Sequence, residues 1–120
     1  MKILLTVDGS TFGWKAIDYL VQHKGTFGEE CELTVLHVDE GQAAKVLARA
    51  KTRLRRARMG YTEAVIKGNA GKEIAKYARR GKFDLLIMGS HGYSAFEQLM
   101  LGSVASKVLA LCKVPVLLVR

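Results

Sequence analysis

The sequence Lys2-Ile3-Leu4-Leu5-Thr6-Val7-Asp8-Gly9-Ser10 begins the chain with a short apolar run that ends at an acid, a glycine and a hydroxyl residue. Residues Ile3–Val7 are apolar or β-branched at consecutive positions, which is typical of a strand that is buried on both faces. Four similar runs follow at Leu33–Val38, Ala64–Ile66, Leu85–Met88 and Val116–Val119. Strands buried on both faces predict a parallel sheet.

Longer segments with apolar residues at helical spacing separate these runs. They predict helices over about Phe12–His23, Gln42–Met59, Gly71–Arg80 and Ser103–Cys112. The alternation predicts an α/β fold, a five-stranded parallel sheet with helices on both faces, because each parallel connection needs a right-handed crossover. The last helix carries two apolar rows, so we expect it to be buried over a wide face. Ligands of such sheets bind beyond the carboxyl ends of the strands.

The composition limits the class of protein. The chain has 120 residues, 49% hydrophobic and 25% charged, which predicts a single globular domain over residues 1–120. It has neither an apolar run of the roughly 18 residues that span a membrane nor a secretory leader, so we expect a cytoplasmic location and no membrane partner. The formal net charge of +8 favours anionic partners. Cys31 and Cys112 fit no metal-ligand spacing and are expected to be reduced thiols.

A glycine pattern follows the fourth strand. Gly89 and Gly92 are separated by two residues, and nine residues lie between Gly92 and Gly102-Ser103, where the last helix is predicted to begin. A Cβ at Gly89 or Gly92 would obstruct the approach of backbone N–H groups to a phosphate chain. The start of a helix favours an anion, and the Ser103 hydroxyl donates to a phosphate oxygen or caps the helix. Asp8, at the end of the first strand, is suited to accept from ribose hydroxyls or to ligate Mg²⁺.

The spacing of Gly89, Gly92 and Gly102-Ser103 resembles the ATP-binding signature of the universal stress protein family. The start of the chain, Ile3–Ser10, is similar to the first strand of that family, and Val114–Val119 is similar to its last strand. The resemblance implies a Rossmann-like nucleotide-binding fold with strand order 3-2-1-4-5. It also implies a dimeric stress-response sensor or regulator that binds ATP or another adenine nucleotide and forms a homodimer through Val116–Val119.

The resemblance also implies a role for each matching residue. Asp8 meets the ribose or the adenine, and Val38 gives a backbone contact to the base. The remaining positions line the adenine pocket (Thr6, Val7), bind the phosphates (Gly89, Gly92, Gly102, Ser103, Val104) or flank them (Met88). The segment between the second and third strands is shorter than is usual in the family, which indicates that the second helix is short or single. Ala70 stands where many members have proline.

Enzymatic alternatives find little support in the sequence. Gly71-Lys72 is followed by Glu73 instead of Ser or Thr, which excludes a phosphate-binding loop of the Walker type. A phospho-receiver domain needs a second carboxylate beside Asp8, and the end of the first strand offers only one. A nucleotidyl- or pyrophosphate-transferring enzyme needs a histidine pair or a lysine-rich loop near the phosphates, which His91 alone does not supply. We interpret His91 as a solvent-facing loop residue. With no evident general base, at most slow ATP hydrolysis is expected.

The second helix suggests a different function. It has seven basic residues and no acid over Lys45–Arg58. Lys45, Arg49, Arg53 and Arg56 recur at helical spacing and are expected to form one stripe opposite the apolar row. We interpret the stripe as a solvated face, since such charge runs usually are. The alternative is a non-nucleotide-binding interaction protein that uses this helix to dock on nucleic acid or on acidic partners.

Overall fold

The computed structural model describes residues 1–28, 30–91 and 101–120. Its strands are β1 (Lys2–Thr6), β2 (Glu32–Val38), β3 (Thr62–Ile66), β4 (Leu85–Gly89) and β5 (Val116–Val119). Its helices are α1 (Thr11–Gln22), α2 (Lys24–Phe27), α3 (Ala43–Arg56), α4 (Ala70–Arg80) and α5 (Ser103–Leu111). All five predicted strands and all four predicted helices are confirmed. Helix α2 was not predicted, because its four residues are too few to show a periodicity.

The strands form one parallel sheet in the order β3-β2-β1-β4-β5, which confirms the predicted fold class and strand order. Strand β1 lies at the centre, where Leu5 pairs with Val35 of β2 on one side and with Ile87 of β4 on the other. The chain winds outward from β1 through β2 and β3, then returns to β4 on the opposite side. The winding direction therefore reverses between β1 and β4, and their carboxyl ends border the crevice where sheets of this type bind ligands.

The sheet separates two apolar cores. Ile3 and Leu5 of β1 pack in the core beneath α1 and α3, whereas Leu4 packs in the core beneath α4 and α5. All three side chains are completely buried. Burial on alternate faces explains why the strand sequences are continuously apolar.

Helix α5 is less buried than the sequence predicts. Ala105 and Val108 are buried, but Val104, Leu109 and Leu111 are 36%, 43% and 54% exposed, so the expectation of a wide buried face is wrong for this chain. The reason is the position of α5 at the edge of its layer. It packs against α4, where a Cβ at Gly71 would come within 2.7 Å of the Lys107 Cβ, and the sheet beneath ends at β5.

Among the residues that the structure describes, no helix combines the length and the apolar character needed to cross a bilayer.

Candidate functional site

The loop after β1 fixes the Asp8 carboxylate at the carboxyl edge of the sheet. Its Oδ1 atom accepts hydrogen bonds from the Ser10 backbone N–H at 2.8 Å and from the Ser10 hydroxyl at 2.5 Å. The Ser10 Oγ in turn accepts from the Gly13 N–H at 3.3 Å and caps α1. A Cβ at Gly13 would lie 3.0 Å from Asp8 Oδ1, so the first turn of α1 lies against the carboxylate. The Asp8 side chain is nevertheless exposed to solvent.

Gly89 has a packing function that its spacing did not reveal. A Cβ at this position would lie 2.7 Å from the carbonyl carbon and the Cβ of Phe12, and 2.8 Å from its carbonyl oxygen. The absence of a side chain thus permits α1 to approach the end of β4. Glycine is needed at position 89, and the contact that demands it in the structure is helix-to-strand packing rather than a phosphate.

The end of β4 and the start of α5 are joined by a backbone hydrogen bond. The Gly102 N–H donates to the Ser90 carbonyl at 2.8 Å, and the Ser90 N–H donates to the Val119 carbonyl at 2.9 Å. These two amides are therefore engaged by the protein. Gly92, the second glycine of the predicted pattern, lies outside the described residues.

The first turn of α5 has backbone N–H groups that make no hydrogen bond within the helix. The first internal hydrogen bond of the helix runs from the Ser106 N–H to the Gly102 carbonyl, so the N–H groups of Ser103 and Val104 precede it. Gly102 occupies the N-cap position, and no side chain in the described residues caps the helix. Ser103 stands one position later and is exposed, as is Val104. Ser103 therefore does not cap α5, and its contact with a ligand stays a prediction.

His91 does not face solvent, and that interpretation is wrong. Its side chain is only 9% exposed. Its Nδ1 lies 2.8 Å from the Ser90 hydroxyl, and its ring contacts the Phe12 ring at a centroid distance of 4.9 Å. The residue thus helps to pack the end of β4 against α1.

The residues assigned to the adenine side differ in exposure. Thr6, Val7 and Met88 are buried, and Val7 and Met88 belong to the two apolar cores. Val38 is half-buried at the carboxyl end of β2, and the next residue, Asp39, donates its N–H to the Ile66 carbonyl at 2.7 Å. Within the described part of the chain, the residues that are predicted to bind the nucleotide and are fully exposed are therefore Asp8, Ser103 and Val104.

His37 contributes to the site in a way that the sequence did not show. The side chain is 4% exposed, and its Nδ1 lies 2.7 Å from the carbonyl oxygen of Val7. A carbonyl only accepts, so Nδ1 carries the proton and donates it to the bond. The bond fixes the peptide immediately before Asp8. The Nε2 atom is buried and has no hydrogen-bond partner among the residues that the structure describes.

Asp39 closes a second turn at the same edge. Its Oδ1 accepts from the Gly41 N–H at 2.7 Å, and Gly41 adopts φ +101°, a left-handed conformation that favours glycine. The hydrogen bond from Gly41 lowers the pKa of Asp39, and Coulombic attraction from Lys67 acts in the same direction. The turn leads the chain from β2 into α3.

Within residues 1–28, 30–91 and 101–120, no three His, Cys, Asp or Glu side chains come together in a way that could hold a metal ion.

Comparison with known protein families gives a match over residues 39–120, which fit the model of the Universal stress protein family. The chain is 29% identical to universal stress protein YxiE of Bacillus subtilis (strain 168), over 99% of this chain and 98% of that protein. It is 30% identical to universal stress protein Slr1230 of Synechocystis sp., over 99% of this chain but only 42% of that protein.

Solved structures of similar fold cover nearly the whole chain. MJ0577 of Methanocaldococcus jannaschii superimposes with a TM-score of 0.85 at 26% identity, over 98% of this chain and 94% of that chain. A universal stress protein in complex with cAMP has a TM-score of 0.81 at 24% identity, over 100% and 96% of the two chains. A universal stress protein family protein of Arabidopsis thaliana with AMP bound has a TM-score of 0.78 at 14% identity, over 99% and 90%.

Proposed function

This chain belongs to the universal stress protein family, and from that membership we propose that it binds ATP or another adenine nucleotide at the carboxyl edge between β1 and β4. The observation that carries the proposal is the start of α5. A helix N-terminus with no capping side chain in the described residues lies beside the end of β4, with the exposed carboxylate of Asp8 after the neighbouring strand. Relatives of the same fold in complex with cAMP and with AMP support it.

Each part of the nucleotide would meet a different element. The N–H groups of Ser103 and Val104, together with the Ser103 hydroxyl, would donate to phosphate oxygens, aided by the positive end of the α5 dipole. Asp8 would accept from a ribose hydroxyl, and the backbone of Val38 would contact the base. The other predicted residues that the structure describes would shape the walls of the site: Thr6, Val7, Met88, Gly89 and Gly102. Gly92 lies outside the described residues and stays a predicted phosphate contact.

We propose a binding function rather than a fast catalytic one. The Asp8 carboxylate would hold a Mg²⁺ ion, which would take its other ligands from water and from the nucleotide phosphates. His91, a titratable side chain within the glycine pattern, is buried, contacts the Phe12 ring and is hydrogen-bonded to Ser90. These contacts support a packing role instead of a role as general base. We therefore place the protein as a cytoplasmic stress-response regulator that senses an adenine nucleotide, with at most slow hydrolysis.

Calorimetric titration with ATP, with and without Mg²⁺, tests the proposal. In the variant Asp8→Asn the amide oxygen still accepts from Ser10, so the loop keeps its hydrogen bonds while the negative charge is removed. We expect ATP affinity to fall about tenfold, because a hydrogen bond to a charged group contributes roughly 1.5 kcal/mol. The matched control is Asp84→Asn at the opposite edge of the sheet, where Asp84 accepts from the Lys2 N–H. Absence of heat and of any thermal shift at millimolar ATP would refute the proposal.

We also propose that two copies pair through β5, which ends the sheet in the described residues. Its four side chains are only half-buried, and the exposed Leu109 and Leu111 of α5 precede it. Such an edge invites pairing. Pro115 and Val119 accept hydrogen bonds from the backbone N–H groups of Leu86 and Ser90, so these two residues of the last segment face β4. Because the direction of bonding alternates along a strand, the N–H of Leu118 points toward the open edge.

The proposed dimer is tested by Leu118→Pro, which removes that outward donor while leaving the inward bonds to β4. We expect a monomer by light scattering during size-exclusion chromatography, with the wild type as a dimer. Two outcomes would contradict pairing through this strand. One is a wild-type protein that remains monomeric at about 100 times the lowest concentration that the detector measures, and the other is a Leu118→Pro variant that still dimerises.

A further inference from the structure

A groove between α1 and α3 lies away from the nucleotide site. It has a volume of about 470 Å³ and is lined by Asp18 and Val21 of α1 and by Arg49, Thr52, Arg53 and Arg56 of α3. Asp18 lies eight residues beyond the cap of α1, or about 12 Å along the helix axis from the carboxyl edge. Residues of the nucleotide site do not contribute to the groove.

Two of the groove arginines are held in place by Trp14. The Arg49 and Arg53 guanidinium groups lie 4.9 and 4.8 Å from the Trp14 ring, and Arg53 Nε lies 3.6 Å from Asp18 Oδ1. Three of the four residues of the stripe are exposed and Arg53 is half-buried, so the interpretation of a largely solvated face holds. The stripe does not lie opposite the apolar row, however, because Arg49 and Arg53 lie over Trp14 of α1, which belongs to the apolar core. Stacking restricts the side-chain rotamers and lowers the entropic cost of binding a ligand.

We propose that this groove, here termed the arginine groove, binds an acidic helical segment of a partner protein. Arg49, Arg53 and Arg56 supply three guanidinium groups against the one carboxylate of Asp18, which leaves a positive surplus. Their spacing of four and three residues extends over about 10 Å, or two helical turns, and matches carboxylates placed at the same spacing on a facing helix. A guanidinium fork binds a carboxylate through two parallel hydrogen bonds.

The lining favours a peptide over a nucleic acid. Asp18 lies within the groove and would repel a continuous phosphate chain, whereas a peptide can place an uncharged residue opposite it. Val21 provides an apolar contact of the kind that a peptide side chain uses. Trp14 is only 7% exposed beneath the arginines, so its ring offers no platform on which a base could stack.

Fluorescence anisotropy with defined probes tests the proposal. The probe is a labelled 14-residue helical peptide that carries glutamates spaced four and three residues apart with leucines between them. The comparison probes are a peptide of the same composition with its glutamates consecutive and a single-stranded 14-mer of DNA. All are titrated with the full-length protein at low salt, where exposed ion pairs contribute most.

Paired variants separate the groove from net charge. Arg49→Gln/Arg53→Gln changes the groove, and Lys51→Gln/Arg55→Gln changes the charge equally on the other flank of α3, where Arg55 lies near Tyr61. We expect the first pair to weaken binding of the spaced peptide about tenfold or more and the second pair less than about threefold. The variant Arg56→Gln leaves both stacked arginines in place and should also weaken binding of the spaced peptide. It tests the groove if the variant Arg49→Gln/Arg53→Gln does not fold.

Asp18→Asn gives a result of the opposite sign, which loss of stability cannot imitate. Removal of this carboxylate should tighten binding of the spaced peptide about two- to threefold, because Arg53 is released and the repulsion is lost. Four outcomes overturn the proposal: no binding at millimolar protein, equal loss in both paired variants, no tightening by Asp18→Asn, or tighter binding of DNA than of the spaced peptide. The last would identify nucleic acid as the occupant.

Discussion

Replacement of Gly89 by alanine tests whether this glycine serves packing or a ligand. The added Cβ would lie 2.7 Å from the Phe12 carbonyl carbon, which is 0.7 Å less than the 3.4 Å at which ordinary contact begins. Two of the three contacting atoms belong to the Phe12 backbone, so α1 itself must move. Overpacking in a well-packed region costs about 1 to 3 kcal/mol, and a rigid obstacle places the cost near the upper end of that range.

We expect Gly89→Ala to lower the free energy of unfolding by about 2 to 3 kcal/mol and the melting temperature by about 10 °C. Urea and thermal unfolding without nucleotide measure both quantities. Gly60→Ala is the matched control, because a Cβ there meets nothing within 4 Å and should leave stability unchanged or raise it by up to about 1 kcal/mol. Gly89 does not have a positive φ, so backbone strain does not contribute to the difference in stability between the two variants.

A double variant sharpens the test. Phe12→Ala keeps the Cβ, the carbonyl carbon and the carbonyl oxygen that obstruct the new methyl group, so it should not restore the stability of Gly89→Ala. A Gly89→Ala protein with the wild-type urea midpoint but reduced ATP affinity would refute the packing argument. It would show that α1 yields freely and that position 89 serves the nucleotide alone.

Three further predictions concern the polar groups of the carboxyl edge. His37→Leu removes the donor to the Val7 carbonyl and should lower the free energy of unfolding by about 1 to 3 kcal/mol in urea titrations; an unchanged midpoint would show that water replaces the bond. Ser103→Ala should leave that free energy within about 0.5 kcal/mol, because the residue is exposed, yet weaken ATP binding about fivefold by calorimetry; a loss of stability alone would indicate a cap. The lowered pKa of Asp39 means that its carboxylate stabilises the fold above the ordinary pKa of about 3.9 and that this contribution is lost as pH falls through the folded pKa. The difference in melting temperature between wild type and Asp39→Asn should therefore be largest near neutral pH and shrink in acid, and a pH-independent difference would contradict the assignment.

The sequence was sufficient for the fold. Continuous apolar runs of strand length, separated by helical periodicity, predict a parallel sheet from local patterns alone, because burial on both faces removes the alternation of polar residues. The candidate site was indicated by Asp8 and the glycine pattern, whereas the strand order required the family resemblance. The strand order depends on which strands lie side by side, and no single stretch of sequence records that information.

The tertiary structure decided what each site residue contacts. Gly89 and His91 belong to the same glycine-rich pattern, but the structure shows that α1 packs against both through Phe12. His37 is 30 residues from Val7 in the chain, and only strand pairing brings its ring to that carbonyl. The basic stripe of α3 is largely exposed, as the sequence predicts, but it also forms one wall of a groove, because α1 supplies Trp14 and the facing wall. Periodicity along one element shows which residues share a face, whereas the partner of that face is set by the packing of elements distant in sequence.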